Sequence, residues 1–232
     1  MNIYFLVKGK RTEVKVYPKW LSYLVPALQK VPYFDAISTN SYFMFSGKGF
    51  PSLLHNHFRN AVEDINNTKK YDYFVVCLDS DEESIEDCKQ EILDFMIKEK
   101  ISLNSQTQLK IIVQNKCLET WFLANPKIFK KNPTDEDLRK WIAFYNVQKD
   151  DPELMEKPQN IETSTSVFHS DYLQRLLQEK NITYSKKNPQ GVIEEYFLRE
   201  LITRSKKTNH IQSFQDFIDF CEKIQQKITK NI

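Results

Sequence analysis

The sequence predicts an α/β protein: a mostly parallel sheet with helices on both faces, followed by a helical C-terminal elaboration. Three observations lead there. Residues 2–7 (Asn-Ile-Tyr-Phe-Leu-Val) and 71–78 (Tyr-Asp-Tyr-Phe-Val-Val-Cys-Leu) are apolar runs without alternation, as expected of strands covered on both faces. Segments of strand character and helical spacing then succeed one another along the first half. Right-handed crossovers convert that order into a parallel sheet. Lastly, charged residues gather where the apolar runs stop, and open α/β sheets bind ligands at the carboxyl ends of their strands.

The elements follow in order. After the strand at 2–7 comes a turn centred on Gly9, then a helix over 12–29 that Pro18 and Pro26 are expected to break. Residues 34–39 and 41–45 read as a strand and its extension. A Gly-Lys-Gly turn at 47–49 precedes a helix from Pro51 to about Asn67, proline being favoured in a first helical turn. The clearest strand, 71–78, is β-branched and aromatic, has no charge from Tyr73 to Leu78, and ends abruptly in acids. A helix over 83–98 places Ile85, Ile92, Leu93 and Met96 at helical spacing; a strand at 109–113 and a short apolar helix at 117–124 complete a core over residues 1–125. Beyond Pro126 helices are expected at 138–145, 167–178, 192–203 and 214–227, making residues 126–232 a helical part packed on the core. The polar segment 149–166, with Pro152 and Pro158, is the candidate loop or lid.

Composition excludes several classes. With 232 residues, 41% of them hydrophobic and only four glycines, the chain can bury a core and is neither disordered nor fibrous. No apolar run reaches the length of a membrane span. At the start, charges follow the apolar stretch instead of preceding it, the reverse of a secretory signal, so a cytoplasmic protein is expected. Cys77, Cys88, Cys117 and Cys221 lack paired spacing and read as buried free thiols. A net charge of +2 gives no global pull on nucleic acid, which leaves local patches to carry any such contact.

The acids of Asp79-Ser80-Asp81 lie two residues apart where the chain leaves its strand. Both carboxylates can turn toward one point, where they repel unless a cation or proton separates them. Mg²⁺, with one or two carboxylates and several waters, suits such a site. The alternative is a solvated loop whose acids cap the helix beginning near Glu83. Lys8, Lys10 and Arg11 around Gly9 either hold a phosphate or line a solvated turn, and Glu13 falls in the first turn of the next helix. Glu119 lies inside Cys117-Leu-Glu-Thr-Trp-Phe-Leu-Ala124, an otherwise apolar helix, and is either on a wet face or buried for a purpose. His55 and His57 point to opposite sides of their helix, His169 is expected on a helix surface, and His210 has no partner in view. A response-regulator receiver would need an acidic pair after the first strand, where Lys8-Gly9 stands. An Asp-x-Asp phosphatase places its pair after the first strand, and here the pair follows a later one.

The order strand-Lys8-Gly-x-x-Thr-Glu13, then strand-Asp79-x-Asp81, resembles the Toprim superfamily, the metal-dependent core of topoisomerases, primases and OLD-type nucleases. Gly9-x-x-Thr12-Glu13, the Cys117-Leu-Glu119-Thr-Trp-Phe-Leu segment and Tyr184-Ser-Lys186 are similar to its RloB-like branch, small proteins associated with phage defence. The resemblance covers residues 3–190 and implies a Rossmann-like Toprim sheet. It implies Mg²⁺ (or Mn²⁺) on Asp79 and Asp81, with Glu119 as a third site carboxylate. It further implies metal-assisted phosphodiester hydrolysis of DNA or RNA, tRNA included. Where the superfamily has a catalytic glutamate before the glycine, this chain has Lys8, so Glu13 or Glu119 would take over its role, or the site no longer cleaves. Lys8, Lys10, Arg11 and Lys186 would neutralise phosphate charge, and Lys127/Lys130/Lys131, Lys186/Lys187 and Arg204/Lys206/Lys207 could follow a nucleic-acid backbone. The degenerate case, supported mainly by Lys8, is a subunit that binds a partner protein such as a defence ATPase; the chain has no Walker A sequence of its own, so any ATP chemistry would come from elsewhere. A homo-oligomer is a further expectation.

Overall fold

In the computed structural model, which describes residues 1–230, five parallel strands form one sheet in the order β2-β3-β1-β4-β5. They are β1 (Asn2–Val7), β2 (Gln29–Lys30), β3 (Ser41–Ser46), β4 (Tyr73–Asp79) and β5 (Gln108–Gln114). β1 lies between β3 and β4, with Leu6 opposite both Phe45 and Val76. From β1 the chain winds outward to β2 and β3, then crosses back to β4 on the other side. The carboxyl ends of β1 and β4 therefore form the topological switch point at which such sheets bind ligands.

Helix α1 (Glu13–Leu24) contains Pro18 without breaking, contrary to expectation. A mid-helix proline costs about 3 kcal/mol, and burial of Val16, Tyr17, Trp20 and Leu21 at about 1.5–3 kcal/mol each outweighs it. The helix stops at Leu24, which releases the two-residue edge strand β2 where helix was expected. Residues 34–36 form a 3₁₀ turn, not the expected strand. The helix expected from Pro51 is built in three pieces: a short turn α2 (Phe50–Ser52), a π-helical stretch over Leu53–Phe58, and α3 (Arg59–Thr68). Lys69, at φ 52°, ends α3 in the left-handed region. Then come α4 (Ile85–Lys98), α5 (Leu118–Leu123), α6 (Glu136–Phe144), α7 (Thr165–Glu179), α8 (Gln190–Ile193), α9 (Glu195–Thr208) and α10 (Gln212–Lys230).

The chain divides into two compact units that interleave in sequence, where the residue pattern places one boundary at 125. The first holds Met1–Leu78, Ile85–Val113 and the chain from Asp219 onward; the second holds Asp79–Ser84 and Gln114–Ile218. The acidic turn after β4 thus belongs with the C-terminal helices. Its hydrogen bonds run to Gln114 and Lys116, which local sequence does not reveal.

The first unit's core joins Tyr4, Leu6, Phe74 and Val76 of the sheet to Phe58, Val62 and Ile65 of the helical run after β3 and to Ile92 of α4 in one cluster. Tyr4 meets Phe43, Tyr71 and Phe74 edge to face at 5.2–5.8 Å, the preferred aromatic geometry. Gly47 fits here for want of a side chain: a Cβ would lie 2.7–2.9 Å from the Cβ, Cα and Cγ of Leu53. Gly47→Ala is expected to cost about 1–3 kcal/mol through the forced backbone shift. Thermal denaturation checks it, and an unchanged midpoint would refute this account of the turn.

No described helix is long and apolar enough to cross a membrane. All four cysteines are free and buried. Burial pushes the thiols of Cys77, Cys117 and Cys221 upward and keeps them protonated.

Candidate functional site

Asp79 is the last residue of β4, and its Oδ1 accepts the Leu118 backbone N–H at 3.1 Å, the first N–H of α5. Ser80 is buried and ties the turn to the neighbouring chain. Its N–H donates to the Gln114 carbonyl at 2.9 Å, and its Oγ accepts the Lys116 N–H at 2.9 Å. Asp81 stands at φ 52°, in the left-handed region that a non-glycine residue seldom occupies, as does Lys116 at φ 63°. Three contacts hold this pose. The Asp81 N–H donates to the Lys116 carbonyl at 2.9 Å, and Ser166 Oγ lies 3.2 Å from Asp81 Oδ1 and 3.1 Å from the same carbonyl. Two left-handed residues facing each other across adjacent strand ends are a local strain that neighbouring contacts must sustain, and such strain concentrates at functional sites.

The neighbouring acids have structural partners. Glu82 accepts from the N–H and hydroxyl of Thr165 at 2.8 and 3.1 Å and so caps α7, not the helix that follows it in sequence. Lys116 pairs with Glu156 at 2.9 Å.

Glu119 is buried, 3% exposed, in the first turn of α5. Its Oε1 accepts the Tyr184 hydroxyl at 2.8 Å and stands 3.7 Å from Lys186 Nζ. Tyr184 is 65 residues away in sequence, so the Glu119 and Tyr184-Ser-Lys186 motifs converge on one cluster. Lys186 is half exposed, its ammonium reaching in from solvent. Among the described residues no group of three His, Cys, Asp or Glu side chains is arranged to hold one metal ion, so the expected three-carboxylate set of Asp79, Asp81 and Glu119 is not assembled. The Glu119 carboxylate is taken up by Tyr184 and Lys186 instead.

Lys8, Lys10, Arg11 and Glu13 belong to the first unit. The Lys8 N–H continues the ladder to the Cys77 carbonyl at 2.8 Å, and Lys10 and Arg11 are exposed. Glu13 is nearly buried, and its carboxylate lies over Gly9 where a Cβ would be, which explains the glycine.

Residue chemistry missed two groups in the second unit. His169, expected on a surface, is fully buried: Nε2 lies 2.9 Å from the Met155 carbonyl and Nδ1 2.8 Å from Thr120 Oγ1. A carbonyl only accepts, so Nε2 carries the proton and Thr120 donates to Nδ1. Burial lowers the imidazole to about 4 and keeps it neutral. The signal was present, since His169, Leu173 and Leu176 share one helical stripe. Arg204, expected on a nucleic-acid surface, is also buried, on the stripe of Phe197 and Leu201. It donates to the carbonyls of Ala124, Val147 and Asp150 at 2.7–3.1 Å. The expected lid at 149–166 is anchored at its start by buried Pro152, Glu153 and Met155. His55 and His57 pack on Phe95 and Phe45 respectively, so they do not form a joint ligand pair.

Comparisons with protein-family models, with curated proteins and with solved structures find no match.

Proposed function

We propose that this chain is a divalent-metal-dependent phosphodiesterase of nucleic acid, with Asp79 and Asp81 holding Mg²⁺ or Mn²⁺ and Glu119, Tyr184 and Lys186 beside them. The observation that carries the reading is the strained, multiply tied Asp81 two residues after Asp79, where the chain leaves β4. The resemblance to the Toprim superfamily and its RloB-like branch, associated with phage defence, supports the same assignment.

A bound cation there would supply charge for a phosphoryl oxygen and lower the pKa of a water. The chain's own part is positional. Asp79 is oriented by the Leu118 N–H, and Asp81 by Ser166 and Lys116. Glu119 stands 3.7 Å from Lys186 Nζ, whose half-exposed ammonium would meet a substrate phosphate. The Tyr184 hydroxyl fixes the Glu119 carboxylate from the protein side.

Two observations favour a second reading. Lys8 occupies the position of the superfamily's glutamate, and the Asp79, Asp81 and Glu119 carboxylates all have internal partners. The chain would then be a catalytically degenerate subunit that binds a partner protein, such as a defence ATPase.

A cleavage assay on DNA and tRNA with Mg²⁺ or Mn²⁺ separates the two. Wild type should cleave, and Asp79→Ala with Asp81→Ala should lose cleavage and calorimetric Mn²⁺ binding together. Glu119→Gln should lose cleavage while still binding Mn²⁺. Cleavage untouched by the double change would sink the metal site. Mn²⁺ binding without cleavage of any substrate would favour the degenerate subunit.

A further inference from the structure

The first unit carries a feature for which the acidic centre has no use. A cavity of about 380 Å³ lies between the β1–β3 face and α3, lined by Tyr4, Phe34, Phe43, Phe45, His57 and Asp64 among others. Its rings do not stack. Phe43 meets Tyr4 at 5.2 Å and 73°, and Phe34 at 6.4 Å and 68°. Phe45 meets His57 at 5.1 Å and 62°, and remains 37% exposed. Tyr4 is buried under its edge-to-face partners, so the aromatic surface left to the cavity is that of the partly exposed Phe34, Phe43 and Phe45.

The walls carry negative charge. Asp64 reaches the Tyr4 hydroxyl at 3.2 Å, a long contact, and Glu63 adds a second carboxylate. Among the described residues lining the cavity there is no lysine or arginine. Burial raises the Asp64 carboxyl above its ordinary range, as befits a carboxylate short of positive charge.

We propose that this cavity binds a small organic cation of the quaternary or methylated ammonium class, gripped by the aromatic faces and neutralised by Asp64. Aromatic faces are the negative side of the ring quadrupole and attract cations that shed water readily. A hydrated metal ion would lose its water to apolar walls, and an anionic nucleotide would meet two carboxylates. Neither matches the lining. A neutral base would gain the rings but leave the Asp64 charge unanswered.

Titration of the full chain with choline, followed by aromatic NMR shifts, tests it. Saturable shifts with a Kd of about 1 mM or tighter are expected. Asp64→Asn and Phe45→Ala should each weaken binding by about tenfold. Phe45 is partly exposed, so its variant serves even if Asp64→Asn fails to fold. The uncharged isostere 3,3-dimethylbutan-1-ol and adenosine should not displace choline. The Asp79→Ala, Asp81→Ala double variant should bind as wild type does, which keeps this test separate from the metal-site reading. Absence of saturable shifts, equal binding of the neutral alcohol or of adenosine, or full binding by folded Asp64→Asn would each overturn the proposal.

Discussion

Arg204→Ala is expected to lower the stability of the chain by about 3–5 kcal/mol, a loss large enough to threaten the fold of a marginally stable protein. The guanidinium is buried and spreads its donors over three backbone carbonyls, with Nη2 also 3.1 Å from His210 Nδ1. One of these carbonyls, Ala124, closes the end of α5, and the others belong to the turn over 147–150. Burial lowers the guanidinium's pKa, yet it stays charged because Asp151 and Asp150 stand near it. Removing it strands those carbonyls at about 1–3 kcal/mol each, offset where water enters. Lysine cannot reproduce the fork, so Arg204→Lys should recover less than half of the loss. Lys206→Ala and Lys207→Ala, at exposed neighbouring positions, should stay within about 0.5 kcal/mol of wild type. Urea denaturation with constant m-values measures all four. Equal midpoints for Arg204→Ala and Lys206→Ala would refute the structural role and return Arg204 to the candidate phosphate contacts.

The second large effect is hidden in the wild type, because two buried groups of the second unit titrate in opposite senses. Glu153 is buried against Ser213, whose hydroxyl and N–H both donate to its carboxylate; that hydroxyl in turn accepts the Trp121 indole N–H at 2.7 Å. Burial raises the carboxyl from 4.5 to about 7 despite these bonds. Between those values the folded state keeps a proton that the unfolded state releases, so this group's contribution to stability is lost as pH rises. His169 behaves in reverse: burial lowers it from 6.5 to about 4. Over that range the unfolded state takes up a proton that the folded state refuses, so stability is lost as pH falls. The windows overlap from 4.5 to 6.5, where the two slopes, each up to about 1.4 kcal/mol per pH unit, oppose each other. Glu153→Gln should therefore expose a stability that climbs from pH 4 to 6.5, the His169 window. His169→Gln should expose one that falls from pH 4.5 to 7. Parallel stability–pH curves for wild type and both variants would show that neither group is held as described.

These two cases mark where local sequence stops being informative. The strands at 2–7 and 71–78 were legible because each is a short, largely apolar run: residues 71–78 became β4 with its edges moved by one or two positions, whereas β2, two exposed polar residues, left no such trace. Asp79-Ser80-Asp81 was legible for the same reason, since charge directly after a buried strand stands out without a structure. Segment 34–39 misled because Phe34 and Ile37 suit a strand by propensity, but the chain turns there in a 3₁₀ helix. Pro18 misled because propensity ignores the packing that can override it. His169 and Arg204 followed the helical stripe of their apolar neighbours, a signal overruled by the polar character of the residues themselves. Glu153 had no signal, because burial of a loop residue depends on partners 60 positions away.

By itself, then, the sequence determined the α/β class, a mostly parallel sheet and the position of the acid pair. Those follow from nearest-neighbour patterning and the geometry of right-handed crossovers. Only the tertiary structure decided that the acidic turn belongs with the C-terminal helices, that Asp81 is held left-handed, and that Glu119 answers to Tyr184 and Lys186. Those depend on hydrogen bonds between residues 34 to 85 positions apart, which no local pattern encodes.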